Sequence, residues 1–336
     1  MLRNRSMWMR WMLVVGCFGA AWGLAGCGKS EGPSVPMVSA EAPKNAKPEA
    51  EPVRKVALVM KTLTNPFFIE MERGARRAEK ELGVSLQVRT AAQETSIEQQ
   101  IQIVNDLIAS KVDAIVLAPG DSQSLVATVK KAVDAGIVVV NIDNRLDEKA
   151  VQAAGMQPIP FISVDNDAGA YKAGKYLADG VTGPTKAVIL EGIRSADNAR
   201  QRMEGAKRAL AQNKSIQLVA SETANWKIDE AYAVTKTLFA RNPDITLVFA
   251  ANDMMALGAM KYLQEKGNTR ARVAGYDALA EAIDEIKAGR MVATVDQQAA
   301  EQGFQGVAAA VRLLKGEKVA PLTLVDTRLI TVADVK

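Results

Sequence analysis

Short apolar runs in this chain end in residues built to hydrogen-bond. Residues 56–60 (VALVM) lead into Lys61-Thr-Leu-Thr-Asn65-Pro-Phe67-Phe68, and 137–142 (IVVVNI) into Asp143-Asn144-Arg145. The run 161–164 meets Asp165-Asn166, and 187–190 meets Glu191 and Gly192, with Arg200 downstream. Trp226 follows 217–220 in Thr-Ala-Asn-Trp, Asn252-Asp253 follows 247–250, Asp277 follows 273–276, and Gln297 follows 292–295 after Asp296. Asp143 and Asp277 accept only, the amides both donate and accept, and Lys61 and Arg200 donate. Phe67, Phe68 and Trp226 add flat rings. Such a set suits a polyol. Each sugar hydroxyl donates and accepts, planar groups take two neighbouring hydroxyls, and the C–H faces of a pyranose lie on aromatic rings. Micromolar binding of a ligand of about 12 heavy atoms needs roughly −0.7 kcal/mol per atom, within the range open to small ligands.

The elements that must carry these groups follow from periodicity. Strands are expected at 56–60, 86–89, 114–117, 137–142, 161–164, 187–190, 217–220, 247–250 and 273–276. Helices are expected at 66–82, from Ser96, at 125–135, 168–178, 199–211, 229–240, 254–264 and 278–288. In the helix from Ser96, Ile97, Ile101, Val104, Leu107 and Ile108 fall on one face. Runs of Val, Ile and Leu without strict alternation fit parallel strands covered on both faces. Two successive βα series imply two doubly wound lobes, with a Pro- and charge-rich loop at 147–160 near their junction. The tail 292–332 has two strand candidates around a helix at 303–314, too little for a third domain and enough to complete the sheets. In such sheets ligands bind beyond the carboxyl ends of the strands, where the groups above lie.

Composition narrows the chemistry. The 336 residues, 48% hydrophobic, can fill the cores of two domains. There is no histidine, and the only cysteines are Cys17 and Cys27. No disulfide framework, zinc finger or histidine-based catalytic pair can be built from that stock, and no metal or cofactor is expected. The formal charge of +4 is partly a leader effect, because residues 1–27 hold Arg3, Arg5 and Arg10 and no acid. Beyond them the balance is 42 − 3 = 39 basic against 38 acidic residues, which speaks against nucleic-acid binding. An uncharged apolar run at 11–24 follows the basic head, too short to span a bilayer but suited to export. It ends in Leu24-Ala-Gly-Cys27, which resembles a lipobox. Residues 1–27 are thus read as a lipoprotein signal, with Cys27 lipidated. A plain cleavable signal is the alternative. Residues 28–52 hold five of the 12 prolines and no apolar periodicity, the composition of a tether.

Lys-Thr-Leu-Thr-Asn-Pro-Phe-Phe at 61–68, Asn-Ile-Asp at 141–143, Ala-Arg-Gln-Arg-Met-Glu-Gly-Ala at 199–206 and Ala-Asn-Trp at 224–226 carry a resemblance. So do Phe-Ala-Ala-Asn-Asp-Met-Met-Ala-Leu-Gly-Ala at 249–259, Gly-Tyr-Asp at 275–277 and Ala-Thr-Val-Asp-Gln at 293–297. From about Val53 to Val335 the chain resembles the periplasmic monosaccharide-binding proteins of bacterial ABC importers, the branch with ribose- and allose-binding members. The resemblance implies an α/β fold of two Rossmann-like lobes joined by three crossovers, 53–164 with 297–323 and 165–296 with 324–336. It implies a monomer that closes on a monosaccharide, hands it to an ABC permease, has no enzymatic activity and touches the membrane only through its lipid. The first lobe would supply Lys61, Asn65, Phe67, Phe68, Asp143 and Asn144. The second would supply Arg200, Trp226, Asn252 and Asp277. Gln297 would lie near a hinge, with Asp165 at the first crossover. Ribose-type members resemble Ser at 61 and Arg at 144, and allose-type members Lys at 61 and an acid at 144. Lys61 with Asn144 completes neither pattern.

Plainer readings stand beside these. One of Phe67 and Phe68 is expected in the core. Asp143 and Asp277 are read as ligand contacts, with helix caps as the alternative, and one of Asn252 and Asp253 is a cap. Arg200 as a solvated salt bridge and Lys61 as a surface charge are the alternatives at those positions. Gly169 to Lys175 has P-loop spacing but reads as helix interior, with its amides already paired. Asp165-Asn-Asp167 lacks the rest of a calcium loop. An effector-sensing core of a DNA-binding repressor would need a headpiece where the leader lies. An exported sugar-acting enzyme would need one carboxylate of raised pKa, whereas Lys61 and Arg200 are expected to hold Asp143 and Asp277 ionised. A sugar sensor read by a chemoreceptor or kinase is a further alternative.

Overall fold

The computed structural model describes residues 53–335. The leader, the tether and Cys27 lie outside the described residues. The chain runs β1 (Lys55–Met60), α1 (Pro66–Leu82), β2 (Ser85–Thr90), α2 (Ile97–Ala109), β3 (Ala114–Leu117), α3 (Val126–Asp134), β4 (Val138–Ile142), α4 (Glu148–Ala153) and β5 (Phe161–Val164). It continues with α5 (Asn166–Ala178), β6 (Thr185–Glu191), α6 (Asp197–Ala211), β7 (Ile216–Thr223), α7 (Ile228–Arg241), β8 (Ile245–Ala250), α8 (Asp253–Glu265), β9 (Arg272–Ala274) and α9 (Ala280–Lys287). It ends with β10 (Ala293–Asp296), α10 (Ala299–Leu314), β11 (Leu322–Val325), β12 (Arg328–Thr331) and α11 (Val332–Val335).

The apolar runs become strands because both of their faces are covered. Val56 to Met60 and Ala114 to Leu117 are almost fully buried, and such runs pair in parallel, as expected. Two six-stranded sheets result, ordered β11-β5-β4-β3-β1-β2 and β12-β10-β9-β8-β6-β7. Each repeats the same doubly wound order, and among the described residues only the β10–β12 pair is antiparallel. The chain crosses between sheets three times, after β5, after β10 and after β11. Residues 297 and 298 form the middle crossing.

Local chemistry sets the helix ends that face the cleft. Asn65 caps α1, accepting from the Phe67 N–H, with Pro66 in the first turn, where a missing N–H costs nothing. Asn252 caps α8 through the Met255 N–H and Asp165 caps α5 through the Ala168 N–H. Gly74 of α1 meets the Ala300 carbonyl of α10 so closely that a Cβ there would overlap it. The P-loop-like run 169–175 lies inside α5, as its pattern indicated.

Three expectations are corrected. The segment 147–160 is not all loop, because Asp147 caps the short helix α4 through the Ala150 N–H. The tail carries three strands rather than two. Leu324 and Val325 belong to the first sheet, where β11 pairs with β5, not to the second lobe. Among the described residues no helix is long and apolar enough to cross a membrane.

Candidate functional site

The loops beyond the carboxyl ends of both sheets converge on one cavity. The first lobe lines it with Lys61, Asn65, Phe67, Phe68, Glu94 and Asp143. The second lobe contributes Asn198, Arg202, Trp226, Asn252 and Asp277, and Gln297 enters from the middle crossing.

Nine of the eleven ligand contacts expected from sequence lie on this wall; Asn144 and Arg200 do not. Arg200 is half exposed and pairs with Asp197 at 2.6 Å on its own helix. Two residues further on the helix turns by about 200°, and Arg202, only 3% exposed, faces the cavity instead. Asn144 is fully buried beside the cavity, donating to Pro119 O at 3.1 Å. Asp165 stays on the surface as a helix cap. Phe67 and Phe68 are both core residues and both on the cavity wall, packed edge to face at 5.1 Å. Neither Asp143 nor Asp277 caps a helix. Lys61 is no surface charge.

The polar wall is tightly wired. Lys61 Nζ lies 2.7 Å from Asp143 Oδ2, both side chains 3% exposed, yet off hydrogen-bond alignment, so this oxygen lacks an aligned donor. Asn198 Nδ2 donates to Asp143 Oδ1 at 3.5 Å, and Asn65 Nδ2 to Glu94 Oε1 at 3.0 Å. The Arg202 guanidinium donates to Asn166 Oδ1 at 2.8 Å, Ala251 O at 3.0 Å and Gln297 Oε1 at 3.1 Å. It lies 3.6 Å from Asp277 Oδ1 and stacks 3.9 Å over the Tyr276 ring. Gln297 Nε2 donates to Asp277 Oδ1 at 2.6 Å. These contacts fix the two cations so that their charge and remaining N–H groups are oriented in advance.

Backbone strain aims several of these groups. Asp143 (φ 62°), Trp226 (φ 68°) and Asp277 (φ 126°) hold positive φ, as do the neighbouring Asn225 and Ala278. Such conformations cost on the order of 1–3 kcal/mol each and persist where the surroundings over-determine them. Trp226 lies against Gly192, where any Cβ would overlap the indole. Trp226 Nε1 and Asn198 Oδ1 have no hydrogen-bond partner among the described residues. Buried polar atoms on a cavity wall that the protein leaves unpaired are open to a water or a ligand.

Charge and burial make the cavity close to neutral. Burial pushes the Glu94 carboxyl up, against the pull of the Lys61 charge and the Asn65 hydrogen bond. Burial also pushes Asp277 well above the usual carboxylate range, with Arg202 opposing and Asp253 adding to it. This corrects the expectation that neighbouring cations hold Asp277 fully ionised, since desolvation outweighs Arg202. Behind the wall, burial pushes Asp253 up to about 6, although the Thr294 hydroxyl and nearby N–H groups hold its charged form. Lys61 faces Asp143 and Arg202 faces Asp277, so neither cation stands free for a phosphate or a dicarboxylate, and the wall suits an uncharged polar ligand better.

Glu94, Asn198 and Arg202 are the wall residues that sequence reasoning missed. Glu94 lies in the loop after β2, four residues beyond the strand's end rather than directly on it. Asn198 and Arg202 stand four apart, the spacing of one helix face, a signal that selects Arg202 over Arg200.

Residues 56–318 match the model of the periplasmic binding protein domain. A D-ribose/D-allose-binding protein of Pseudomonas aeruginosa is 41% identical over 266 residues, covering 78% of this chain and 83% of the relative. A D-allose-binding periplasmic protein of Escherichia coli is 35% identical over 284 residues, covering 82% of this chain and 91% of the relative. Among solved structures, an ABC transporter periplasmic solute-binding protein of Actinobacillus succinogenes with bound D-allose superposes with a TM-score of 0.79. It is 37% identical, with 84% of this chain and 99% of that chain covered. By family model, by identity and by fold, the chain belongs to the periplasmic binding proteins.

Proposed function

We propose that this protein is the substrate-binding lipoprotein of a sugar ABC importer. It captures one monosaccharide, a pyranose of the ribose or allose kind, between its lobes and delivers it unaltered to a membrane permease. The observation that carries this reading is the cavity wall: twelve side chains, from both lobes and the crossing between them, bring planar, polar and aromatic groups around one shared space. The named ligands of the relatives, D-ribose and D-allose, agree with it. Sugar bridging the lobes gains contacts that the open form lacks, so its differential affinity for the two states drives closure. The permease reads the closed, loaded shape. Cys27 carries the lipid and residues 28–52 tether the monomeric body on the periplasmic side.

The test uses the chain's own reporter. Trp226 is the only tryptophan outside residues 1–27, so its fluorescence can be titrated with pentoses, hexoses, polyols and inositols alongside a thermal-shift screen. The expected result is saturable quenching or enhancement and a raised Tm with one or a few monosaccharides. No response to any of them would overturn the proposal.

A further inference from the structure

Helix α6 carries two cavity residues, Asn198 and Arg202, but starts without a cap of its own. Its N-cap residue is Ala196, which has no side-chain acceptor. The Asp197 carboxylate is occupied by Arg200 at 2.6 Å and Gln201 at 2.6 Å. The first N–H groups of a helix need acceptors from outside it, and here those acceptors come from the opposite lobe. The Asp197 N–H donates to Ser122 Oγ at 3.0 Å, and the Asn198 N–H to Asn144 Oδ1 at 3.3 Å. The Ser122 N–H in turn donates to Ser195 O at 3.2 Å.

The acceptors are held in place within their own lobe. Asn144 Nδ2 donates to Ser122 Oγ at 3.3 Å and to Pro119 O at 3.1 Å. The Asp147 N–H donates to Ser122 O at 2.7 Å, tying the loops after β3 and β4 together. Ser122 is 3% exposed and Asn144 fully buried, and neither lies on the cavity wall.

We propose that Ser122 and Asn144 form a cross-lobe cap: they complete the first turn of α6 only when the lobes are closed, and so raise ligand affinity without touching the ligand. This rests on the proposed closure around a sugar. When the lobes part, the α6 N–H groups lose these acceptors and face water. Closing restores them and orders the turn that presents Asn198 and Arg202. Ser122 and Asn144 are positioning residues.

Two substitutions in the full chain test this, with D-allose and D-ribose as probes. Ser122→Ala removes one acceptor. Ala196→Ser gives α6 a local cap, since Ala196 already has the extended backbone (φ −91°, ψ 132°) that an N-cap needs. A serine there accepts from the Asn198 or Ala199 N–H in both open and closed forms, so it removes the part of the closing advantage that Asn144 supplies, while the Asp197 N–H still depends on Ser122. The expected result is a roughly fivefold loss of sugar affinity in each variant. In Ala196→Ser this comes with an undiminished Tm of the sugar-free protein, a combination that a merely structural role would not produce. In Ser122→Ala, hydrogen exchange at the Asp197 and Asn198 amides accelerates. Unchanged affinity and unchanged exchange in Ser122→Ala would overturn the cap, as would Ala196→Ser binding as tightly as wild type. If the buried serine at 196 lowers stability, Ser122→Ala decides alone. A wild type that binds neither sugar contradicts the proposed function instead. The cap is then read with whichever monosaccharide the thermal-shift screen selects, where equal exchange of the Asp197 and Asn198 amides in loaded wild type and loaded Ser122→Ala overturns it.

Discussion

Arg202 and Arg200 lie two residues apart, and the structure assigns them opposite consequences. In Arg202→Met the chain keeps a similar length and loses a buried guanidinium with three hydrogen bonds, to Asn166, Ala251 and Gln297. It also loses the cation facing Asp277 and the plane stacked on Tyr276. Removing one member of a buried, hydrogen-bonded charge pair costs about 3–5 kcal/mol. Asp277 can relieve part of this by binding a proton, since burial already pushes its pKa upward, so the lower end applies to folding. For the ligand, truncating such a group costs about 2–5 kcal/mol, or roughly 30-fold to several thousandfold in Kd. In Arg200→Met the lost pair is exposed and lies within one helix, worth at most about 0.5 kcal/mol. Calorimetric titration with D-allose and D-ribose, with Tm measured in parallel, separates the two. Sugar affinity in Arg202→Met within threefold of wild type, or an equal loss in Arg200→Met, would remove Arg202 from the site.

Gly192→Ala drives a methyl into the Trp226 indole; overpacking of about 1–3 kcal/mol is expected to weaken sugar binding about tenfold and shift the emission of Trp226, and calorimetry and fluorescence read both. Asp253 gives the sugar-free protein a pH dependence. Its pKa rises to about 6 on folding, so its contribution is full below the unfolded value near 3.9 and is lost as pH climbs through 6. Between pH 5 and 7.5 that loss is about 1.4 kcal/mol, a Tm drop of a few degrees, and Asp277 acts in the same direction. Asp253→Asn should flatten the profile, and a wild-type Tm that rises over this interval would contradict the assignment. Cys27→Ser should release the protein from membranes in cell fractionation while leaving sugar binding intact.

Much of this architecture is legible in the sequence because burial on both faces leaves continuous apolar runs. The strands 114–117 and 161–164 and the helix Pro66–Leu82 match their patterns, the last because Asn65-Pro66 and Gly83 punctuate it. The strand-end rule likewise located Lys61, Asp143 and Asp277. It failed where position depends on rotation about a helix, as with Arg200 and Arg202. It also failed at Asn144, where a residue of the right chemistry at a strand end turns to cap the other lobe. After the helix at 303–314 the pattern offers one strand where the structure has two, β11 and β12, because their burial is partial and each completes a sheet begun far upstream.

A crystal structure of the protein grown with D-allose would show whether this cavity is where the sugar binds. The account predicts one intact sugar ring in the cavity, hydrogen-bonded to Asp143, Arg202 and Asp277 and in contact with Phe68 and Trp226. A sugar bound on an outer surface with this cavity left to water, or a sugar converted to product, would contradict it.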